Sequence, residues 1–129
     1  MGTQQLLMII IAVVLVGVAV AVGISLFQAN VIESSRNALI EDLLFLAGKA
    51  RDYYFRTASL NGGNRSFTGV TIRMLTVRPE NDNGRYFIVG TPSPTEVILG
   101  GKGKVVVGTD TIEVHMSVDE ATSIIRIVH

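Results

Sequence analysis

Few side chains here are of types that perform chemistry, and their spacing limits what each can do. The two histidines are His115, inside an alternating run, and His129, the last residue. Neither has a serine or carboxylate spaced to make a nucleophile–base–orienter set, so catalysis is not expected. Gly100-Gly-Lys-Gly103 has the look of a phosphate loop, but Lys102 is followed by Gly103 and a strand-like run, where Ser or Thr and then a helix are required. A hairpin turn is the better account. Glu41-Asp42 and Asp119-Glu120 could attract calcium, yet neither has the alternating oxygen ligands of a calcium loop, so both read as solvated charge. Tyr53-Tyr54-Phe55 could stack as an aromatic ladder between copies of the chain. With 6% aromatic residues and no haem-attachment motif, it reads mainly as the hinge between a helix and a sheet. Asn64-Arg65-Ser66 fits the N-glycosylation pattern and makes Asn64 a candidate acceptor.

With zero Cys, a disulfide framework and a zinc–thiolate site are both excluded; no metal and no cofactor is expected. All 11 Lys+Arg and 11 Asp+Glu lie from Glu33 onward, giving a formal net charge of zero without a basic stripe to neutralise phosphates. No nucleic-acid partner is expected. The chain of 129 residues has room for one small domain, and 48% hydrophobic residues argue against disorder.

What dominates is Leu6 to Phe27, apolar apart from Gly17, Gly23 and Ser25. About 22 helical residues reach roughly 33 Å, enough to span a bilayer. A removable secretory signal would need a basic start and a shorter apolar run, whereas residues 1–32 carry no Lys or Arg. Leu6 also stands where a myristoylation signal needs Ser or Thr. No proline falls between Gln28 and Thr57, and Ile32, Leu39, Leu43, Leu46, Ala50 and Tyr53 form one apolar stripe. The helix is therefore expected to continue, amphipathic, to a stop at Asn61-Gly62-Gly63, for about 50 to 55 residues or roughly 80 Å. Acids early (Glu33, Glu41, Asp42) and bases late (Lys49, Arg51, Arg56) suit the macrodipole, and Asp52 with Arg56 adds an i,i+4 pair.

Beyond the glycines the period becomes two. Strands are expected from Val70 to Met74, Arg85 to Val89 after an Asn83-Gly84 hairpin signal, Thr95 to Leu99, Lys104 to Val107, Thr111 to Val118 and Ser123 to Val128. Pro92 and Pro94 belong in a loop or at an edge. The fold class is α+β: a long N-terminal helix, apolar then amphipathic, packed on a small C-terminal antiparallel sheet. The boundaries are 1–30 for the apolar helix and 31–129 for a head, made of helix 31–59, loop 60–68 and strands 69–128.

This order of elements, with Met1, the polar lead Gly2-Thr3-Gln4-Gln5 and then the apolar run, resembles the type IV pilin superfamily. It is nearest to small, cysteine-free bacterial pilin-like filament subunits. The resemblance implies a structural subunit of a helical extracellular filament, a homopolymer built by pilus assembly machinery. Its helix would wait in the inner membrane and end in the centre of the polymer. The implied localisation is the cell surface, with a membrane-inserted precursor pool. The self-assembly residues would be Met1, Gln5, Leu6, Ile10, Val13, Gly17, Ala21, Gly23 and Phe27. Gly17 with Ala21, and Ala19 with Gly23, form small-xxx-small pairs that let helices approach. Two departures from the pattern stand out. Gln5 occupies the place where pilins usually carry Glu, so it can hydrogen-bond but not pair by charge with a neighbouring amine. The usual basic leader ending in Gly is not seen, leaving Met1 either a processed N-terminus or a start. Alternative readings are a single-pass, membrane-anchored extracytoplasmic binding module or a minor pseudopilin of a secretion machine.

Overall fold

The structure, a computed structural model, describes residues 2–128. Its first element, α1 (Gly2–Phe55), is one helix of 54 residues, about 81 Å long at 1.5 Å per residue. Leu39, Leu43, Leu46, Ala47, Ala50, Tyr53 and Tyr54 are its buried residues. Their steps of three and four put them on one face, as the stripe implied.

Helix α1 stops four residues earlier than the expected 59. Its last carbonyls are taken up by the loop that follows: Gly63 N–H donates to Tyr53 O (2.7 Å), Arg65 N–H to Tyr54 O (2.6 Å) and Asn64 N–H to Arg56 O (2.9 Å). Chain ends of helices need such partners, and a 3-10 turn at Ala58–Leu60, closed by Asn61 at φ 59°, brings the loop round to supply them. Gly63 is required for the return, because a Cβ there would collide with the carbonyl oxygen of Ser66.

The sheet has four strands, β1 (Gly84–Val89), β2 (Val97–Val107), β3 (Asp110–Val118) and β4 (Ser123–Ile127). They pair antiparallel in the order β1-β2-β3-β4, so the architecture is the expected α+β meander. One face of β2 and β3 presents Val97, Leu99, Ile112, Val114, Met116 and Val118, all buried, to the stripe of α1. Phe67 and Val70, from the loop after α1, close the core beside Tyr53 and Tyr54.

Three expectations on local structure are corrected. Val70 to Met74 is not a strand: Ile72–Leu75 makes a single helical turn, α2, with Thr76 N–H donating to Ile72 O at 3.0 Å. A short apolar run fits either period, and burial of Val70 and Leu75 with Met74 exposed selected the helical one. Gly100 to Gly103 is not a turn but the middle of β2, where Gly100 pairs with His115 and Gly101 with Val114. These glycines mark close approach on both faces. A Cβ on Gly100 would meet the Phe87 ring at 2.5 Å, and one on Gly103 would meet Ile112 at 2.5 Å and Leu39 at 3.3 Å. Asn81 to Gly84 does form a tight turn, with Asn81 N–H to Gly84 O at 2.9 Å, but it is flanked on one side by only a bridge, Glu80 to Arg85. The ion pair on α1 also differs. Among the described residues Glu33 and Arg36 approach to 3.5 Å, and Asp52 with Arg56 does not. Pro92 and Pro94 lie in the loop between β1 and β2, as expected.

If the stripe and the glycine contacts define the core, Leu43→Ala should cost about 2–5 kcal/mol. Gly103→Val should cost about 1–3 kcal/mol by overpacking, and exposed Lys104→Ala less than about 0.5 kcal/mol. Denaturant unfolding of the full chain in detergent, followed by near-UV circular dichroism, reads all three. Equal losses would refute the packing described.

Candidate self-association surface

From Leu6 to Phe27 the large apolar side chains of α1 are all exposed, from 50% at Ile11 to 68% at Met8 and Phe27. This is a helix long and apolar enough to cross a membrane, and none of that apolar stretch is buried within the chain itself. Such a surface cannot remain in water; it fits membrane insertion, a signal sequence or a partner.

Helical geometry sorts the expected assembly residues into two sets. Leu6, Ile10, Val13, Gly17 and Ala21 follow at steps of four, three, four and four and share a face. Gln5, Gly23 and Phe27 lie on the neighbouring face. Met1 lies outside the described residues, as does His129. At Gly17 and at Gly23 an added Cβ would meet nothing within 4 Å, and the helix passes unbroken through both. Nothing among the described residues therefore requires either position to be small.

The aromatic triplet is divided by the fold. Tyr53 donates to Thr68 O (3.0 Å) and Tyr54 to Glu120 Oε2 (3.0 Å), both rings buried in the chain's own core. Phe55 points outward, 55% exposed, edge-on to Tyr54 at 4.9 Å. All three lie in the last turn of α1, where Tyr53 and Tyr54 tie the helix to the loop and sheet that follow. Asn64 is exposed at φ 52° in the capping loop.

The acidic pairs hold structure. Asp42 Oδ2 accepts from Asn83 Nδ2 (2.9 Å), Asn81 Nδ2 (3.1 Å) and the Tyr86 hydroxyl, clasping the turn before β1 to the helix. Asp119 Oδ1 accepts the amides of Ala121 and Thr122, making the β3–β4 turn, while Arg51 Nη2 reaches Ser123 Oγ at 2.6 Å. Only Glu41 remains simply exposed. His115 Nε2 lies 2.8 Å from Glu113 Oε1 on the sheet face away from α1, with the Phe87 ring edge-on at 6.3 Å. Among the described residues no three His, Cys, Asp or Glu side chains gather to hold a metal ion.

Two features had no signal in the sequence. One is the Asp42 clasp, whose partners are 39 to 44 residues away along the chain. The other is the bareness of β4. Its Ile125 and Ile127 stand opposite Met116 and Val114 on the face turned to α1, yet are 42% and 54% exposed, and Ile124 on the other face is 65% exposed. The helix lies over β2 and β3 and leaves this edge uncovered. Such an edge favours association with another chain.

No family model, no curated protein and no solved structure matches this chain.

The clasp gives a pH dependence. Burial pushes the Asp42 carboxyl up, but the bonds from Asn83, Tyr86 and Asn81 together outweigh it and hold it below the ordinary value. A carboxyl depressed in the folded state stabilises fully above its unfolded value, near about 3.9, and that stabilisation is lost as pH falls through the lower folded value. Asp42→Asn should therefore lower stability at neutral pH, and its unfolding midpoint should converge on that of the parent chain under acid. A constant offset across the whole acid range would show that the carboxylate does not act this way. Burial and the Asp42 bond push the Tyr86 phenol well above its ordinary value, so it stays a donor through neutral and mildly alkaline pH.

Proposed function

We propose that this chain is a structural subunit of a helical, type IV pilus-like extracellular filament, polymerising through the apolar half of α1. The observation that carries this reading is the continuity of the helix. The stretch that needs an outside partner, Leu6 to Phe27, and the stretch that forms the core of the head, Leu39 to Tyr54, belong to one element of 54 residues. A plain anchor needs only the first of these and tolerates a flexible linker, whereas a polymer with heads outside and helices inside needs a rigid spoke.

Lipid and a bundle of Val, Ile and Leu side chains are similarly apolar, so the helix can exchange one for the other and packing decides between them. The small residues support the bundle. An added Cβ on Gly17 or Gly23 would meet nothing within 4 Å among the described residues, and close approach of a second helix gives their size a purpose. In this reading the subunit waits in the membrane, is extracted by assembly machinery, and is found at the cell surface in contact with identical subunits. The head contributes shape, and no catalytic role is assigned to it.

Electron microscopy of the sheared surface fraction, from cells with and without the gene, tests the proposal. Thin fibres should disappear with the gene, and helical averaging should place Leu6 to Phe27 at the axis. Leu6→Arg or Gly17→Arg should abolish the fibres, while Glu41→Gln on the exposed face of the helix should leave them. Unchanged fibres in either arginine variant would overturn the filament reading. Recovery of the parent chain as a detergent-soluble monomer, with no fibres at the surface, would favour a membrane-anchored module.

A further inference from the structure

The hairpin joining β2 to β3 folds back along α1 past the rest of the sheet. Val105, Val106 and Gly108, near its tip, line a groove of about 400 Å³ with Phe27, Gln28, Val31 and Ile32 of the helix. Phe27 is 68% and Val106 61% exposed, so the groove opens on apolar surface that the chain leaves uncovered. The groove sits at a defined level. Phe27 ends the apolar stretch, and Glu33 is the first charged residue after it. The six helical steps from one to the other rise about 9 Å, close to the roughly 5–8 Å of headgroup layer on each side of a hydrocarbon core.

We propose that the β2–β3 hairpin tip is a membrane foot: in the unassembled subunit Val106 and Gly108 rest in the interfacial layer of the bilayer, and phospholipid fills the groove against Phe27 and Val31. This rests on the reading that the helix waits in a membrane. The apolar stretch, about 33 Å long, matches a hydrocarbon core of about 30 Å, so its own length sets the register that brings the tip to the interface. The surface of the groove is continuous with that of the spanning segment, which makes lipid its natural occupant. Charge agrees with the placement. Lys104 and Lys102 are exposed on the strand that leads to Val106, where long cationic side chains can reach phosphates while their stems cover apolar surface. Two acids share this level: Glu33, offset by Arg36 at 3.5 Å, and the exposed Asp110, which pairs with Val107 beside the tip. The foot would fix the tilt and rotation of the head over the membrane, adding a second contact to the single span.

The chain contains no Trp, so one introduced Trp reports alone. Full-length Val106→Trp, Phe27→Trp and Thr95→Trp variants would be reconstituted at low density in phosphatidylethanolamine–phosphatidylglycerol vesicles. The acyl chains of these lipids would be brominated either near the glycerol end or near the methyl end. The expected result is blue-shifted emission and loss of intensity in the shallow-brominated lipid for Val106→Trp, comparable to Phe27→Trp, with Thr95→Trp unquenched. Thr109→Cys carrying a nitroxide, also unique in a Cys-free chain, should show interfacial accessibility to oxygen. Quenching of Phe27→Trp with Val106→Trp and the Thr109 label both water-exposed would overturn the foot and leave the spanning helix standing. Absence of quenching in Phe27→Trp would overturn the spanning reading and the foot with it. Quenching or shielding of Val106→Trp that appears only at high protein density would assign the groove to a second copy and refute lipid as its occupant.

Discussion

The contact on which the rest of this structure depends is the stripe from Leu39 to Tyr54 of α1 against the inner faces of β2 and β3. Without the helix, Val97, Leu99, Ile112, Val114, Met116 and Val118 would face water. A sheet that is apolar on one face has to bury that face against another element to make a core. The helix is thus half of the core as well as the stalk, and the head cannot swivel on the stalk without breaking its own packing. Rigidity between head and apolar segment follows from burial and requires no separate device.

Polar contacts then fix the position of the sheet along and around the helix. On one flank Asp42 gathers Asn81, Asn83 and Tyr86; on the other Arg51 holds Ser123 and the Asp119 carbonyl; at the end Tyr53 and Tyr54 tie down Thr68 and Glu120. Hydrophobic burial is non-directional and would allow the sheet to slide. Directional bonds to charged groups on two sides of the stripe remove that freedom. The glycines of β2 belong to the same arrangement, since they let the helix and the Phe87 ring approach the strand from opposite faces.

Much of this was legible in the residues. The apolar run, the absence of proline through Thr57 and the stripe at steps of three and four are local and periodic, and they give one unbroken helix of about the observed 54 residues, with its end placed four residues too late. The alternation in Thr111 to Val118 is equally local, and β3 is buried on one face as expected. What misled were residues whose local meaning is ambiguous. Glycine signals a turn when the chain alone is considered, but in β2 it records how close Leu39, Ile112 and Phe87 come from elsewhere. The run from Val70 to Met74 is too short for its period to distinguish strand from helical turn. Asp42 looked like solvated charge because its three donors are distant in sequence.

The sequence by itself determined the two-part helix, the α+β class and the unusual fact of an uncharged apolar segment feeding directly into a charged head, because periodicity and hydropathy act over a few residues at a time. Tertiary structure alone decided which residues lost their freedom to partners: Tyr54 turned inward to Glu120, Asp42 became a clasp, and β4 was left bare at the edge. It also brought Val106 beside Phe27, across most of the chain's length. These are outcomes of packing between distant segments, and no local pattern encodes the distance between two segments before the chain has folded.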